Sequence, residues 1–260
     1  MARSAAGQPI LGRLALVLAL GALAAFAVGA LAAAQVTHRE PPRQPVASAS
    51  SAPVAEARLP DAVEDGAAGP GAAVARVDAG WAAEVAAATG IPVRALFAYA
   101  SAALVLGAEA PECGLGWNTL AGLGAIESDH GRHGGSVLGE DGFPAPAIRG
   151  PALDGAGVAA IADTDGDAWD GDATWDRAMG PLQVIPETWR RWGADADGDG
   201  RASPDDIDDA ALAAARYLCA DGSVSSPEEW RRAVFSYNHL DSYVDAVADA
   251  ANRYAAAVSG

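Results

Sequence analysis

The sequence predicts a mainly α fold on three observations. Its 260 residues are 51% hydrophobic, enough to build a packed core. Helix start and stop signals dominate from Arg76 onward, and no internal repeat competes with them. Asp78 is placed to cap an alanine-rich segment that ends at Gly90, and Thr89-Gly90-Ile91-Pro92 opens a second helix with proline in its first turn. Further helices are expected near Trp117 to Ser128, Pro186 to Trp192, Asp206 to Cys219, Pro227 to Tyr237 and Asp241 to Val258. A stretch rich in Gly and Asp, from Gly131 to Asp176, interrupts them. A structureless loop of that length inside a compact domain is usually functional, so it is expected to line a cleft or bind an ion.

The N-terminal third reads differently. Residues Leu14 to Ala34 are uncharged and apolar and follow Arg3 and Arg13, the charge order of a secretory signal or of an N-in membrane anchor. Ala32-Ala33-Ala34 suits cleavage, whereas the length suits a span, and both readings stand; each places the rest of the chain outside the cytoplasm. Gln35 to Ala75 is rich in Ala, Pro and Ser, without a sustained helical or strand period, and reads as a tether. At about 3 Å per residue such a segment reaches on the order of 100 Å. The folded domain then occupies residues 76–260.

Charge narrows the partners. Asp and Glu number 34 against 17 basic residues, all of them Arg, for a net charge of -17. Such a chain repels phosphate backbones and anionic lipid, which argues against nucleic acid and favours neutral substrates or cations. The acid is concentrated: 14 acidic residues and 4 Arg lie between Asp163 and Asp209.

Cys113 and Cys219 are the only cysteines, and in an exported protein an even pair most simply forms one disulfide. No second Cys or nearby His completes a zinc set.

Asp195 to Asp206 places acids at positions 1, 3, 5 and 12 of a loop, with Gly200 at position 6. That is the spacing of an EF-hand loop. Calcium takes six to eight oxygens, and here Asp195, Asp197, Asp199, the Arg201 carbonyl and Asp206 would supply them while Gly200 permits the sharp turn. Asp rather than Glu at position 12 has a shorter reach to the ion. Asp163-Thr164-Asp165-Gly166-Asp167 begins similarly but lacks glycine at the sixth position and an acid at the twelfth, so an ordered acidic loop is the reading there. His130 and His133 stand at helical spacing, but Gly131, Gly134 and Gly135 argue against a continuing helix, and surface or hydrogen-bonded histidines are expected. Trp169 and Trp175 flank the acidic stretch, suited to sugar stacking or to core packing.

Glu127 ends an apolar run, Leu120 to Ile126, and is the acid most suited to burial. Apolar surroundings disfavour its charged form and keep it protonated nearer neutrality, as a general acid requires. Asp129 lies about 200° away around a helix and points to another face, which leaves one acid rather than a pair.

Glu127-Ser128 opening a Gly-rich segment, Gly180-Pro181-Leu182-Gln183-Val184-Ile185-Pro186, and Tyr237-Asn238 followed by Tyr243-Val244 resemble three ordered motifs of lytic murein transglycosylases. The branch similar to membrane-bound lytic transglycosylase B, in its actinobacterial forms with an Asp-rich stretch and an EF-hand-like loop, is the nearest resemblance, over about Trp81 to Tyr254. It departs from the commoner pattern at Leu182, Val184 and Leu240. The resemblance implies a lysozyme-like α domain that cleaves the MurNAc-β-1,4-GlcNAc bond of peptidoglycan without water. Glu127 would then act as acid and afterwards as base, with the muramoyl C6 hydroxyl closing a 1,6-anhydro ring. It assigns Gln183 and Asn238 to the substrate, Tyr237 to a sugar or to Glu127, and Ser128 to the substrate or simply to backbone, with a structural calcium in the loop at 195–206 and no organic cofactor. A lysozyme-type muramidase and a non-catalytic, calcium-dependent wall-binding domain are the alternatives, and the expected setting is the cell envelope.

Overall fold

The computed structural model describes residues 77–259. The signal or anchor segment and the tether lie outside the described residues. Seven α-helices account for nearly half of the described residues: α1 (Ala79–Thr89), α2 (Val93–Glu109), α3 (Trp117–Ser128), α4 (Pro186–Trp192), α5 (Ile207–Leu218), α6 (Pro227–Tyr237) and α7 (Asp241–Val258). Among the described residues no single helix is long and apolar enough to cross a membrane.

Local chemistry sets most of the boundaries. The Asp78 carboxylate accepts the Trp81 N–H at 2.7 Å and starts α1, and Gly90, at φ 75°, ends it. Ser226 and Glu229 form a reciprocal capping box at the start of α6, with Pro227 in its first turn. Asp206 caps α5 through the Asp208 N–H.

The core forms where α3 packs on α7 and α2 packs on α5. Small residues allow the close approach. A Cβ on Gly122 would stand 2.9 Å from the Val247 carbonyl oxygen of α7, and one on Gly124 would overlap the Tyr99 side chain of α2. Tyr99, Leu96, Trp117, Leu120, Leu123, Val244 and Val247 fill the centre. The Trp230 indole N–H donates to the Thr119 hydroxyl at 3.0 Å and joins α6 to α3. A disulfide links Cys113 and Cys219, 106 residues apart, with Cα atoms at 5.8 Å. In the chain-entropy view closure of such a loop stabilises by about 4–5 kcal/mol.

The stretch from Gly131 to Asp176 differs from the structureless loop expected of it. It contains β1 (Val137–Leu138), β2 (Pro144–Ala145) and β3 (Arg149–Ala152); β1 pairs with β2, and β3 pairs antiparallel with β4 (Arg177–Met179). These strands are two to four residues long, too short for alternation to register. Aspartates hold much of the remainder. Asp170 accepts the Arg177 N–H, Asp176 accepts both the Thr164 N–H and its hydroxyl, and Asp163 accepts the N–H groups of Asp165 and Gly166.

Candidate active site

Glu127 sits in the last turn of α3, partly buried. The Tyr243 hydroxyl, from the first turn of α7, donates to its Oε1 at 2.5 Å. Burial raises the Glu127 carboxyl to about 7, against a smaller opposing pull from the Tyr243 hydrogen bond. The group is therefore poised to hold a proton near neutrality and to release it nearby. Asp129 is placed elsewhere: it occupies the left-handed C-cap of α3, exposed, and pairs with Arg132 at 2.8 Å.

Three segments distant in sequence are pinned together around Glu127. Ser128 donates its hydroxyl to the Pro181 carbonyl at 2.6 Å and accepts the Gly131 N–H at 2.8 Å, while being 1% exposed. It is a buried staple between the first two motifs, with its hydroxyl bonded to backbone, the second of the two roles expected of it. Tyr237 donates to the Leu182 carbonyl at 2.7 Å and so joins the third motif to the second. Its hydroxyl pKa is raised well above normal by burial and then by the nearby Glu127 charge. Tyr243, rather than Tyr237, is the tyrosine that bonds the acid.

Gln183 adopts φ 49°, and its amide nitrogen donates to the Gly180 carbonyl at 3.0 Å. Its Oε1 lies beside Gly150 of β3, where a Cβ would stand 2.9 Å away and the flexible amide would have to shift. Asn238 forms the C-cap of α6, partly exposed.

The acidic loop lies directly behind the second motif. Gly180, at φ 67°, faces the Pro204 carbonyl so closely that any Cβ would overlap it. Arg149, at the start of β3, grips Asp205 through two guanidinium nitrogens, at 2.5 and 2.9 Å, and also donates to the Ile148, Asp170 and Trp169 carbonyls. Within the loop, Asp195, Asp197 and Asp199 bring oxygens within 4.8 Å of one another. Asp206 does not join that trio; it meets Asp197 in a second group that includes Asp208. Arg201 lays its guanidinium 5.6 Å from the centre of the Phe143 ring, and its N–H donates to Asp199. Asp208 is paired with Arg94 of α2.

Asp209 is the residue that the twelve-position pattern missed. It is fully buried, and its two oxygens accept the Ala196 N–H at 2.6 Å and the Ser203 N–H at 2.8 Å, so it closes the loop from inside α5. An aspartate among Ile207, Ala210 and Ala211 on a buried helix face was the available signal. Burial, together with neighbouring carboxylates, raises Asp206 to about 7 and Asp209 to about 6. This concentration of buried and half-buried oxygen donors fits a hard divalent cation. Asp163, Asp165 and Asp176 also bring oxygens within 4.8 Å of one another, each bound to nearby N–H groups of the same loop.

No curated protein and no solved structure matches the chain. Gln183, Tyr237, Asn238, Tyr243 and the whole acidic loop fall within residues 158–251, and Glu127 precedes them. That segment matches the family described as "Transglycosylase SLT domain", and the match supports transglycosylase action on peptidoglycan in general.

Proposed function

We propose that this protein cleaves the β-1,4 bond between N-acetylmuramic acid and N-acetylglucosamine without water, leaving 1,6-anhydro ends, with Glu127 as general acid and then general base. The observation that carries this reading is a single raised carboxyl at the junction of three motifs, with Asp129 turned away into an ion pair with Arg132. Hydrolysis with two carboxylates would need a partner about 5–5.5 Å away for retention or about 6.5–9.5 Å away for inversion. A substrate that supplies its own C6 hydroxyl needs only one.

The protonated Glu127 would give its proton to the leaving glycosidic oxygen. The resulting carboxylate, held by the Tyr243 hydroxyl, would take the C6 hydroxyl proton as that oxygen bonds to C1. The proton account closes on Glu127, which is restored for the next cycle. Gln183 and Asn238 offer amides to the sugar, while Ser128 and Tyr237 hold the motifs together.

Digesting purified peptidoglycan and identifying the released ends by mass spectrometry tests this directly. Anhydromuramic ends are expected; reducing muramic ends would show a muramidase, and binding without release would show a wall-binding domain.

Tyr243→Phe removes the hydroxyl that favours the charged form of Glu127, so the Glu127 pKa rises further above about 7. The loss of activity as Glu127 ionises is expected to move to higher pH, with kcat lowered about 10- to 100-fold as the carboxylate loses its support. A pH–rate profile with an unmoved alkaline limb would reject that role.

The loop from Asp195 to Asp209 is proposed to hold calcium, supplied with oxygen by Asp195, Asp197, Asp199 and the Arg201 carbonyl, with Asp206 and Asp209 closing it. The ion would neutralise clustered charge and hold the loop behind Gly180. The apolar N-terminus, as signal or anchor, and the following tether would carry the domain to glycan strands in the cell envelope.

A further inference from the structure

Beneath Glu127 lies a polar chain that the proposed chemistry does not use. His130 is 2% exposed. Its Nδ1 lies 3.1 Å from the Tyr99 hydroxyl of α2, and its Nε2 lies 3.0 Å from the Tyr254 hydroxyl of α7. Burial, with a smaller effect of Arg132, lowers the His130 pKa to about 4, so the ring is neutral at ordinary pH. A neutral imidazole carries one donor and one acceptor, and a tyrosine hydroxyl serves either, so both ring nitrogens are satisfied at once.

The backbone around this histidine is unusual. Asp129 and His130 both adopt left-handed conformations, at φ 51° and 58°, directly after Glu127-Ser128. Aspartate and histidine enter this region more readily than most non-glycine residues, but two in succession need support from their surroundings. Here the Asp129 N–H donates to the Ala125 carbonyl at 3.1 Å, the His130 N–H to the Gly124 carbonyl at 2.8 Å, and the Gly131 N–H to the Ser128 hydroxyl. Gly124 itself lacks a side chain where the Tyr99 ring lies.

Helix α7 contacts this region at two points. Tyr243 and Tyr254 are 11 residues apart, about three turns, and so share one helix face. The first bonds the Glu127 carboxyl; the second bonds the histidine that follows it.

We propose that His130, bridged between Tyr99 and Tyr254, is a positioning residue that fixes the left-handed turn ending α3 and thereby the Glu127 carboxyl against substrate. The proposal deepens the reading of Glu127 as the acid and rests on it. A side chain that served the core alone would affect stability and leave turnover of the folded enzyme intact. A positioning residue changes turnover because a displacement of about 1 Å at a reacting group costs up to about 100-fold.

The test uses the full chain and soluble glycan strands, at temperatures well below each variant's melting point. His130→Phe keeps a ring and removes both hydrogen bonds; Tyr254→Phe removes one bond and keeps the ring packing. His130→Phe is expected to lower kcat about 10- to 100-fold with KM within about twofold. Tyr254→Phe is expected to show a smaller loss of the same kind, and His130→Gln, which can still donate and accept, to recover part of it. Wild-type kcat in His130→Phe and Tyr254→Phe with only a lower melting temperature, or a change confined to KM, would overturn the proposal. Should His130→Phe fail to fold, Tyr254→Phe decides.

A second measurement separates this link from the reading it rests on. In a carbon-13 titration of the Glu127 carboxyl without substrate, both variants are expected to lower the midpoint by about half a unit or more as water reaches a loosened helix end. An unchanged midpoint overturns the proposal. A wild-type protein that is inactive on glycan strands would instead remove the reading of Glu127 as the acid.

Discussion

Glu127→Gln is expected to reduce the release of soluble fragments from peptidoglycan by at least about 1000-fold, because one group serves as acid in the first half of the reaction and as base in the second. Glutamine keeps the shape and can still accept from Tyr243, so substrate binding should persist. The same substitution carries a stability signature with a definite sign. The folded carboxyl is raised to about 7 from an ordinary 4.5. The native state therefore binds more protons than the unfolded chain between those values, and wild-type stability falls as pH rises through that window. The full gap corresponds to about 3 kcal/mol, which the solvent-open part of the side chain reduces to about 1–2 kcal/mol. Glu127→Gln should accordingly melt about 2–8 °C above wild type at pH 8 and converge with it below about pH 4.5. Activity lost without any pH-dependent gain in melting temperature would mean that Glu127 is not held in a desolvated site. Retained activity would remove it from the chemistry altogether.

The helices were legible to within a residue or so because their ends carry chemistry that acts locally. Asp78, Gly90, Pro186, Ser226 and Pro227 fix boundaries whatever the tertiary fold does. The desolvation of Glu127 was legible for a related reason: an apolar run leading into it predicts burial, and burial raises its pKa. Partnerships across the fold were not legible. Ser128 has the residue type of a sugar ligand, yet its hydroxyl is consumed by Pro181 and Gly131. Tyr237 and Tyr243 could exchange roles on sequence alone; the turn between α6 and α7 sends the first to Leu182 and the second to Glu127. Asp209 lies beyond a twelve-residue loop pattern and enters the loop only because α5 begins at Ile207 and turns this side chain back towards Ala196 and Ser203. The strands between Gly131 and Met179 escaped because each is too short for a two-residue alternation to repeat clearly, and side-chain carboxylates hold much of the segment in place.

Calcium is expected to raise the melting temperature of the chelator-treated protein by about 5–10 °C when free ion exceeds the dissociation constant about 100-fold. That follows from about 2.7 kcal/mol of mass-action stabilisation and the size of the domain. The expectation rests on Asp195, Asp197 and Asp199 converging, and on buried Asp209 joining both ends of the loop. In the absence of an ion these carboxylates repel one another, and a divalent cation removes that penalty in the folded state alone. Asp199→Asn is the discriminating variant: its amide oxygen can still accept the Arg201 N–H, and the side chain is exposed, so the ion-free protein should melt near wild type. Its response to calcium should shrink, because a neutral amide replaces a charged ligand. An equal calcium response in both proteins would point to non-specific binding by the acidic surface, and no response in either would reject the ion site. The contact of Pro204 with Gly180 and the Arg149–Asp205 pair place this loop against the segment that holds Gln183. Chelation should therefore weaken substrate binding before it unfolds the domain, and a KM for glycan strands that rises while kcat holds would show that order of events.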